Sequence, residues 1–511
     1  MTSSSNNNNT PEALPYEPVS TPKTVEVDGP RAYESIPIRP ILYVSAAIAL
    51  LQSLQFGWSV SQLNLATFND DDDCKARPVK EGTCIMFPGH SKAEWTWVVN
   101  LWVVGGMIGS LTCGRFSDAI GRKKAMVMGA VFMIAGAAIM AAANSIAVFS
   151  VGRFIAGIAS GFSSAVPNGY INEITPPHLR NRFGIGYQIA VTIGIVLVGL
   201  TFFFADTHSG WRYIAGFPIV LASFLLLGFP IMVESPTWLL VRGRREEAEN
   251  EIARLYGREN VKLALSWMEE PRVQVDAENP ADTDSNDASD SDAASEQVAA
   301  NPWKALFSST YRQQALLAVM LSLAQQFSGI NAVFFYSSDM FKDAGLSDTR
   351  IGSTIVNIVN MLPVFVAGAL GTKFGNRKMI LFGHIGMLVC AICMTISLLV
   401  SQPAVSIVFT AIYVAIFEVS LGPLVFVIAT SIFPNQLRAS GTSLCLFANW
   451  AGTLVVGIGY PYVSDALGDW GFVPFWVTLT LFGLYMVKFL PETTGKTDEE
   501  VQQLFRRRQL L

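Results

Sequence analysis

Residues 121–143 read G-R-K-K-A-M-V-M-G-A-V-F-M-I-A-G-A-A-I-M-A-A-A. From Ala125 to Ala143 no side chain carries a charge or a hydrogen-bonding group, and three basic residues, Arg122, Lys123 and Lys124, stand just before the run. A stretch of about 20 apolar residues is what a helix needs to cross the hydrocarbon core of a bilayer, and a basic cluster in a short loop marks the side that stays cytoplasmic. The stretch from Ile41 to Val60 has the same character, and hydropathy places further spans near 94–113, 147–170, 184–205, 212–232, 313–338, 350–372, 379–400, 404–432, 440–463 and 471–490. With the first at 41–64 and the third at 125–143, these make twelve. The composition agrees: 511 residues with 51% hydrophobic and only 15% charged leave too little charged surface for a soluble globule of this size.

Orientation follows from the short loops. Arg115 and Arg122 to Lys124 follow span two, Arg180 and Arg182 follow span four, and Lys373, Arg377 and Lys378 follow span eight. All three loops lead from an even span to an odd one and are expected in the cytoplasm, which puts both chain termini there as well. The loop after span one, with Asp70 to Asp73, is then outside. Cys74 and Cys84 fall in that loop, where oxidation is possible, so they are either a disulfide or two free thiols. Cys113, Cys390, Cys393 and Cys445 fall in or at the ends of spans and are read as packing residues.

The segment before Ile41 is polar and lacks the layout of a secretory signal, so 1–40 reads as a disordered cytoplasmic tail. A polar insertion at 233–312 divides the spans into two sets of six. Its first part, Arg244 to Tyr256, reads as an amphipathic helix with Ala248, Ile252 and Leu255 on one face. Its later part, 269–296, carries ten acidic residues against Arg272 alone, a local −9 in a chain of formal charge −5, and is expected to be disordered. The expected units are therefore 41–232 and 313–490, a linker at 233–312, and tails at 1–40 and 491–511.

The two sets echo one another. Glu173 and Arg180 after span four recur as Ser431 and Arg438 after span ten, an offset of 258 residues, and the same offset links Glu234 after span six to Glu492 after span twelve. Gly121-Arg122-Lys123-Lys124 is echoed by Gly375-Asn376-Arg377-Lys378. A parallel repeat of two six-helix bundles, with a binding site between them near the midplane, is the transporter architecture these echoes imply.

At these residues the chain resembles the sugar porter family of the major facilitator superfamily, in particular its facilitative glucose transporter branch. The resemblance rests on G-R-F-S-D-A-I-G-R-K-K at 114–124, G-R-F-I-A-G at 152–157, N-E-I-T-P-P-H-L-R at 172–180, V-E-S-P-T-W-L-L at 233–240, A-Q-Q-F-S-G-I-N-A-V-F-F-Y at 324–336 and L-P-E-T-T-G at 490–495. It implies an all-α membrane protein of the major facilitator fold, two six-helix bundles related by pseudo-two-fold symmetry with a cytoplasmic helical linker. It also implies passive transport of a hexose, with glucose favoured. No cofactor or nucleic acid is implied, and the expected setting is a monomer in the lipid bilayer of the plasma membrane.

A sugar presents many hydroxyls and no charge, so its site needs neutral donors and acceptors in quantity. One amide supplies both, and a stranded hydroxyl costs about 1–3 kcal/mol. Span seven offers Gln325, Gln326 and, about one and a half turns on, Asn331. The resemblance adds Gln188, Asn357, Glu418 and Asn449, with an aromatic wall from Phe417, Phe426 and Trp450. Helix–helix hydrogen bonding is the bland alternative for any single amide. Glu418 could accept sugar hydroxyls or hold Arg438 or Arg377. Two departures from the family pattern bear on which hexose is carried, Phe426 where the family often has Trp and Thr453 where it often has Asn.

In the sugar/proton symporters that the chain also resembles, an Asp follows F-G-Y in span one. Here the run is Phe56-Gly57-Trp58-Ser59, and Ser59 cannot carry a proton at any relevant pH. Arg153, at the family's partner position, remains. A cytoplasmic gate is expected from Arg115, Asp118 and Arg122, from Glu173 with Arg180 or Arg182, and from Glu234, with Arg377, Arg438 and Glu492 in the second half. Thr372, Asn376 and Ser431 stand where the family has charged partners, so Arg377 and Arg438 are expected to lack theirs, and the latch to be weak. Rival readings are a sugar sensor and a carrier of polyols or inositol. An enzyme is disfavoured, because the sequence offers no nucleophile–base set, metal cluster or phosphate loop.

Overall fold

The computed structural model describes residues 36–69, 74, 78, 84–268, 302–343, 348–494, 496 and 498–509. The acidic stretch 269–296, the Asp70 to Asp73 run and the first 35 residues lie outside them.

The first six spans are helices Pro40–Ser61, Lys92–Ile120, Arg122–Ala142, Ile146–Ile174, Arg180–Thr201 and Gly210–Gly228. Ser91 starts the second of these with a capping box: its Oγ accepts from Glu94 N at 3.3 Å while its own N–H donates to Glu94 Oε2 at 2.7 Å. Spans nine, eleven and twelve are Asn376–Leu399, Asn435–Leu467 and Val473–Phe489. The last has 17 residues, about 26 Å of helix at 1.5 Å each, slightly short of a hydrocarbon core of about 30 Å.

Spans seven, eight and ten are each broken, which hydropathy did not reveal. Span seven is Arg312–Gln326 followed by Ile330–Asp343, span eight Thr349–Met361 followed by Val364–Phe374, and span ten Pro403–Val419 followed by Leu421–Ser431. Asn331 therefore does not continue the helix of Gln325 and Gln326, as the sequence reading assumed, but begins a second one. Gly329 turns the chain between them at φ +93°, and a Cβ there would come within 2.7 Å of the Phe475 ring. Backbone groups freed by a break inside a membrane need partners. Here Gln325 O accepts from Ser328 Oγ at 2.6 Å, Phe327 O accepts from Thr478 Oγ1 at 2.6 Å, and Ser328 O accepts from the Tyr413 hydroxyl.

The echoes in sequence are echoes in structure. Gly121, at φ +98°, precedes span three, and Glu234 Oε1 accepts from the N–H groups of Arg122 and Lys123 at 3.1 and 3.2 Å. Gly375, at φ +91°, precedes span nine, and Glu492 accepts from the N–H groups of Asn376 and Arg377 at 3.1 and 3.2 Å. In each half a carboxylate from the end of the sixth helix caps the third, satisfying unpaired N–H groups and meeting the positive end of its dipole.

The linker helix Arg245–Tyr256 buries Ala248, Ile252 and Leu255, the face read from the sequence. It is tied to the bundle where Tyr256 OH donates to Ile174 O at 2.6 Å. The described end of the expected 1–40 tail is docked on the bundle, because Ile36 is buried and Arg39 N–H donates to Leu255 O at 3.1 Å. Within the C-terminal tail the helix Asp498–Gln509 is docked as well, with Gln502 Nε2 donating to Ile432 O at 3.0 Å. At the opposite end of the bundle the Sγ atoms of Cys74 and Cys84 are bonded, with Cα atoms 5.1 Å apart.

Candidate functional site

Five polar side chains from three helices converge where span seven breaks. Gln325 Nε2 donates to Leu421 O and Gly422 O at 2.8 and 2.9 Å, at the start of the second helix of span ten. Its Oε1 accepts from Asn449 Nδ2 at 2.5 Å and from Gln326 Nε2 at 3.2 Å. Gln326 Oε1 in turn accepts from Asn331 Nδ2, which also reaches Thr453 Oγ1 at 3.3 Å. The break thus places Gln325, Gln326 and Asn331 in one network with Asn449 and Thr453 of span eleven.

Beside this network lies a cavity of about 70 Å³ lined by Phe56, Val60, Trp102, Gln326, Asn331, Asn449, Trp450 and Thr453. That is far below the ~300 Å³ lower end of ordinary small-molecule sites, so a sugar enters only when the walls part. A larger groove of about 680 Å³ runs along the outside of spans eight, nine and ten, but residues such as Ile355, Phe382, Ile407 and Ile412 line it with carbon alone. It offers a polyhydroxyl solute no hydrogen bond.

The other sequence-nominated residues sit around this centre in distinct ways. Gln188 Nε2 donates to both oxygens of buried Glu418, at 3.3 and 3.1 Å, joining the two six-helix units directly. Glu418 holds neither Arg377 nor Arg438 in these contacts. Asn357 is buried and its Nδ2 lies close to Gly199 of span five. Phe417 is buried and packs near Gly422, and Phe426 is half-buried in the core; neither lines the cavity, whereas Trp450 does.

Sequence reasoning missed Trp102, Phe56 and Val60 as lining residues, while Thr453, read from the sequence as a pocket position, does line the cavity. Phe56 and Trp102 are stacked, with ring centroids 5.8 Å apart, and both meet Trp450 edge-on at 5.8 and 5.2 Å. Their place in apolar runs made them indistinguishable from lipid-facing aromatics. Arg153 is buried in span four, donating to Ser59 O at 3.2 Å and Val99 O at 3.4 Å, with its guanidinium 5.3 Å from the Trp102 ring. Among the described residues Arg153 has no carboxylate partner.

At the end carrying the linker, Arg122 is the hub. Its Nε and Nη2 hold Glu173 at 2.9 Å each and its Nη1 holds Asp118 Oδ1 at 2.8 Å, while Ser235 Oγ also donates to Glu173. This corrects the expected pairing of Glu173 with Arg180 or Arg182: a bidentate fork from Arg122 occupies the carboxylate, and Arg180 Nε reaches Thr175 O at 3.4 Å instead. Burial pushes the Glu234 carboxyl above its ordinary range, against the N–H groups it caps. Arg115 is exposed. Arg377 donates through Nη2 to Val487 O at 2.8 Å, and Arg438, expected to lack a partner, has one. At the disulfide end the units are joined by Arg350 Nη1 with Asp206 Oδ2 at 3.5 Å, by Lys92 with Asp465, and by Asn64 Nδ2 with Ser337 Oγ at 2.8 Å.

Residues 44–505 match the family described as "Sugar (and other) transporter". The human protein named solute carrier family 2, facilitated glucose transporter member 4, is 32% identical over 482 residues, 91% of this chain and 91% of its own. The glucose transporter GlcP of Staphylococcus epidermidis is 31% identical over 420 residues, 80% of this chain and 88% of its own. Among solved structures, the proton:xylose symporter XylE bound to 6-bromo-6-deoxy-D-glucose has a TM-score of 0.71 at 23% identity, covering 91% of this chain and 99% of that one. The inward open conformation of XylE from E. coli gives the same TM-score at 22% identity. Likeness at that identity speaks for the fold, which is the major facilitator fold. The chain belongs to the sugar porter family of the major facilitator superfamily, in its facilitative glucose transporter branch.

Proposed function

We propose that this protein carries a hexose, with glucose as the favoured substrate, passively across a membrane by alternating access. The observation that carries the reading is the network of Gln325, Gln326, Asn331, Asn449 and Thr453 buried between the two units, a set of neutral donors and acceptors with no charge to bind an ion. Such groups substitute for the water a sugar leaves behind, each bond netting about 1 kcal/mol. When the walls part, Gln188, Asn357, Glu418, Phe417 and Phe426 complete the site around the sugar, with Trp450 against its apolar face. Passive transport is supported by Ser59, which has no proton to exchange, and by Arg153, which has cation–π and carbonyl contacts in place of an acid.

Both termini and the Arg122 hub face the cytoplasm of a plasma-membrane protein that works as a monomer. Asp118, Glu173, Glu234 and Glu492, with Arg115, Arg180, Arg377 and Arg438, form the cytoplasmic gate. Its function is transport and not catalysis. Uptake of radiolabelled hexoses and inositol into proteoliposomes, with and without an acid-outside gradient, tests the reading. Saturable hexose uptake that stops at equilibrium is expected; accumulation above equilibrium driven by the gradient overturns passive transport, and uptake of inositol alone overturns the hexose.

A further inference from the structure

The cavity has two chemically different walls. The C-terminal unit contributes Gln326, Asn331, Asn449 and Thr453 together with the Trp450 ring, whereas the N-terminal unit contributes only Phe56, Val60 and Trp102. Trp102 does own a donor, the indole N–H, but it is spent elsewhere: Nε1 donates to Ser160 Oγ at 2.9 Å. The ring is held on several sides at once. It stacks on Phe56, meets Trp450 edge-on at 5.2 Å and 69°, meets Phe335 edge-on at 6.5 Å, and has the Arg153 guanidinium 5.3 Å away. Rotating it to offer the N–H inward would break the Ser160 bond and these ring contacts together. It therefore meets the cavity as carbon.

We infer that Trp102 determines which monosaccharides this transporter accepts, by forming a rigid wall that admits a bare ring edge of the sugar and rejects one that carries a substituent. The inference rests on the hexose reading above and specifies it further. A sugar whose hydroxyls meet the amide wall is satisfied on that side. A hydroxyl turned toward Trp102 is stranded, which lowers affinity between about fivefold and about a hundredfold. A methyl ether at the position facing the wall fails for a second reason, because a close-packed ring backed by Arg153 and Phe335 has no empty space to retreat into. The indole is also the bulkiest group on this wall, so its removal opens the site more than any other single truncation there. The substrate class that fits is an unsubstituted monosaccharide with one sparsely hydroxylated edge.

The test uses the full-length chain in proteoliposomes, measuring kcat/KM for D-glucose and for its 2-, 3-, 4- and 6-O-methyl ethers. The unaltered protein is expected to discriminate at least fivefold against one of the ethers. Trp102→Ala is expected to raise kcat/KM for that ether at least fivefold while lowering it for D-glucose, with Trp102→Phe in between. A common factor of change across all five sugars in the variants overturns the inference, since a merely structural role moves every substrate alike. Trp102→Phe, which keeps a ring in the stack, decides the matter where the alanine variant does not reach the membrane. Absence of saturable uptake of any of the five sugars by the unaltered protein defeats the transport reading itself and this inference with it, a result distinct from uniform change in the variants.

Discussion

Gln188 donates to both carboxylate oxygens of Glu418, at 3.3 and 3.1 Å, and in doing so bridges the two six-helix units in the middle of the bundle. Removing one partner of a buried hydrogen bond leaves the other stranded, at a cost of about 1–3 kcal/mol. Gln188→Ala is therefore expected to destabilise the protein by about that amount. In a double-mutant cycle with Glu418→Ala, the coupling is expected to be about 0.5–3 kcal/mol. Thermal unfolding in detergent reads both, and an additive cycle contradicts the bridge.

Gly329 is the pivot on which the amide network depends. Its φ of +93° disfavours any side chain, and the Phe475 ring lies 2.7 Å from the place a Cβ would take. Gly329→Ala is expected to cost about 1–3 kcal/mol through the backbone alone and to raise the KM for hexose, because Asn331 loses its alignment with Gln326. Adding Phe475→Ala relieves the contact but not the φ, so rescue of stability is expected to be partial. Full rescue assigns the whole effect to packing and removes the turn from the argument.

The amounts of information the chain displayed about its fold and about its site were different, for physical reasons. A membrane span declares itself by composition, so runs such as Ala125 to Ala143 could be placed without any contact. The 258-residue echo of Glu234 in Glu492 carried the pseudo-symmetry, because each carboxylate caps an equivalent helix. The break at Ser328-Gly329 was hidden, since the hydropathy of 313–338 as a whole carries a span across it and only Gly329 hints at a turn. Glu173 was assigned to its neighbours Arg180 or Arg182, yet Arg122, remote in sequence, takes it with a geometry that no spacing encodes. Trp102 carried no sign of facing a cavity rather than lipid, because both surroundings favour an aromatic ring.

At the disulfide end, Arg350 joins the units through Asp206 and also binds Asp348, its Nε lying 2.9 Å from Oδ1. Solvent-accessible pairs of this kind are worth about 0.2–1 kcal/mol. Arg350→Ala is thus expected to shift the population toward opening at this end by up to about fivefold. A membrane-impermeant thiol reagent reacting with Val60→Cys reports it. The pH dependence has a definite sign. The hydrogen bond from Arg350 holds the Asp348 carboxyl below its ordinary value, so its contribution is complete above about pH 4 and is lost as pH falls through the depressed value. The loss of thermal stability on Arg350→Ala should stay constant from pH 8 to about pH 4 and shrink only below that, and a change near neutrality contradicts the assignment.

Ser59 and Arg153 supply the sharpest test of passive transport. Ser59 is buried, its Oγ has no hydrogen-bond partner, and its carbonyl accepts from Arg153 Nη1 at 3.2 Å. The guanidinium is thus balanced by carbonyl dipoles and the Trp102 ring, none of which changes charge between pH 5 and 8. Ser59→Asp inserts a titratable carboxylate within reach of that cation, and binding or losing its proton then makes or breaks an ion pair inside the moving N-terminal unit. Hexose uptake by the unaltered protein is expected to equilibrate, with no accumulation when the outside is acid. Uptake by Ser59→Asp is expected to acquire a dependence on external pH over the same interval, by severalfold. If the variant's uptake stays flat with pH while the protein remains folded, the absence of an acid at position 59 is not what makes this transporter passive, and coupling through Glu418 becomes the route to examine by the same measurement on Glu418→Gln.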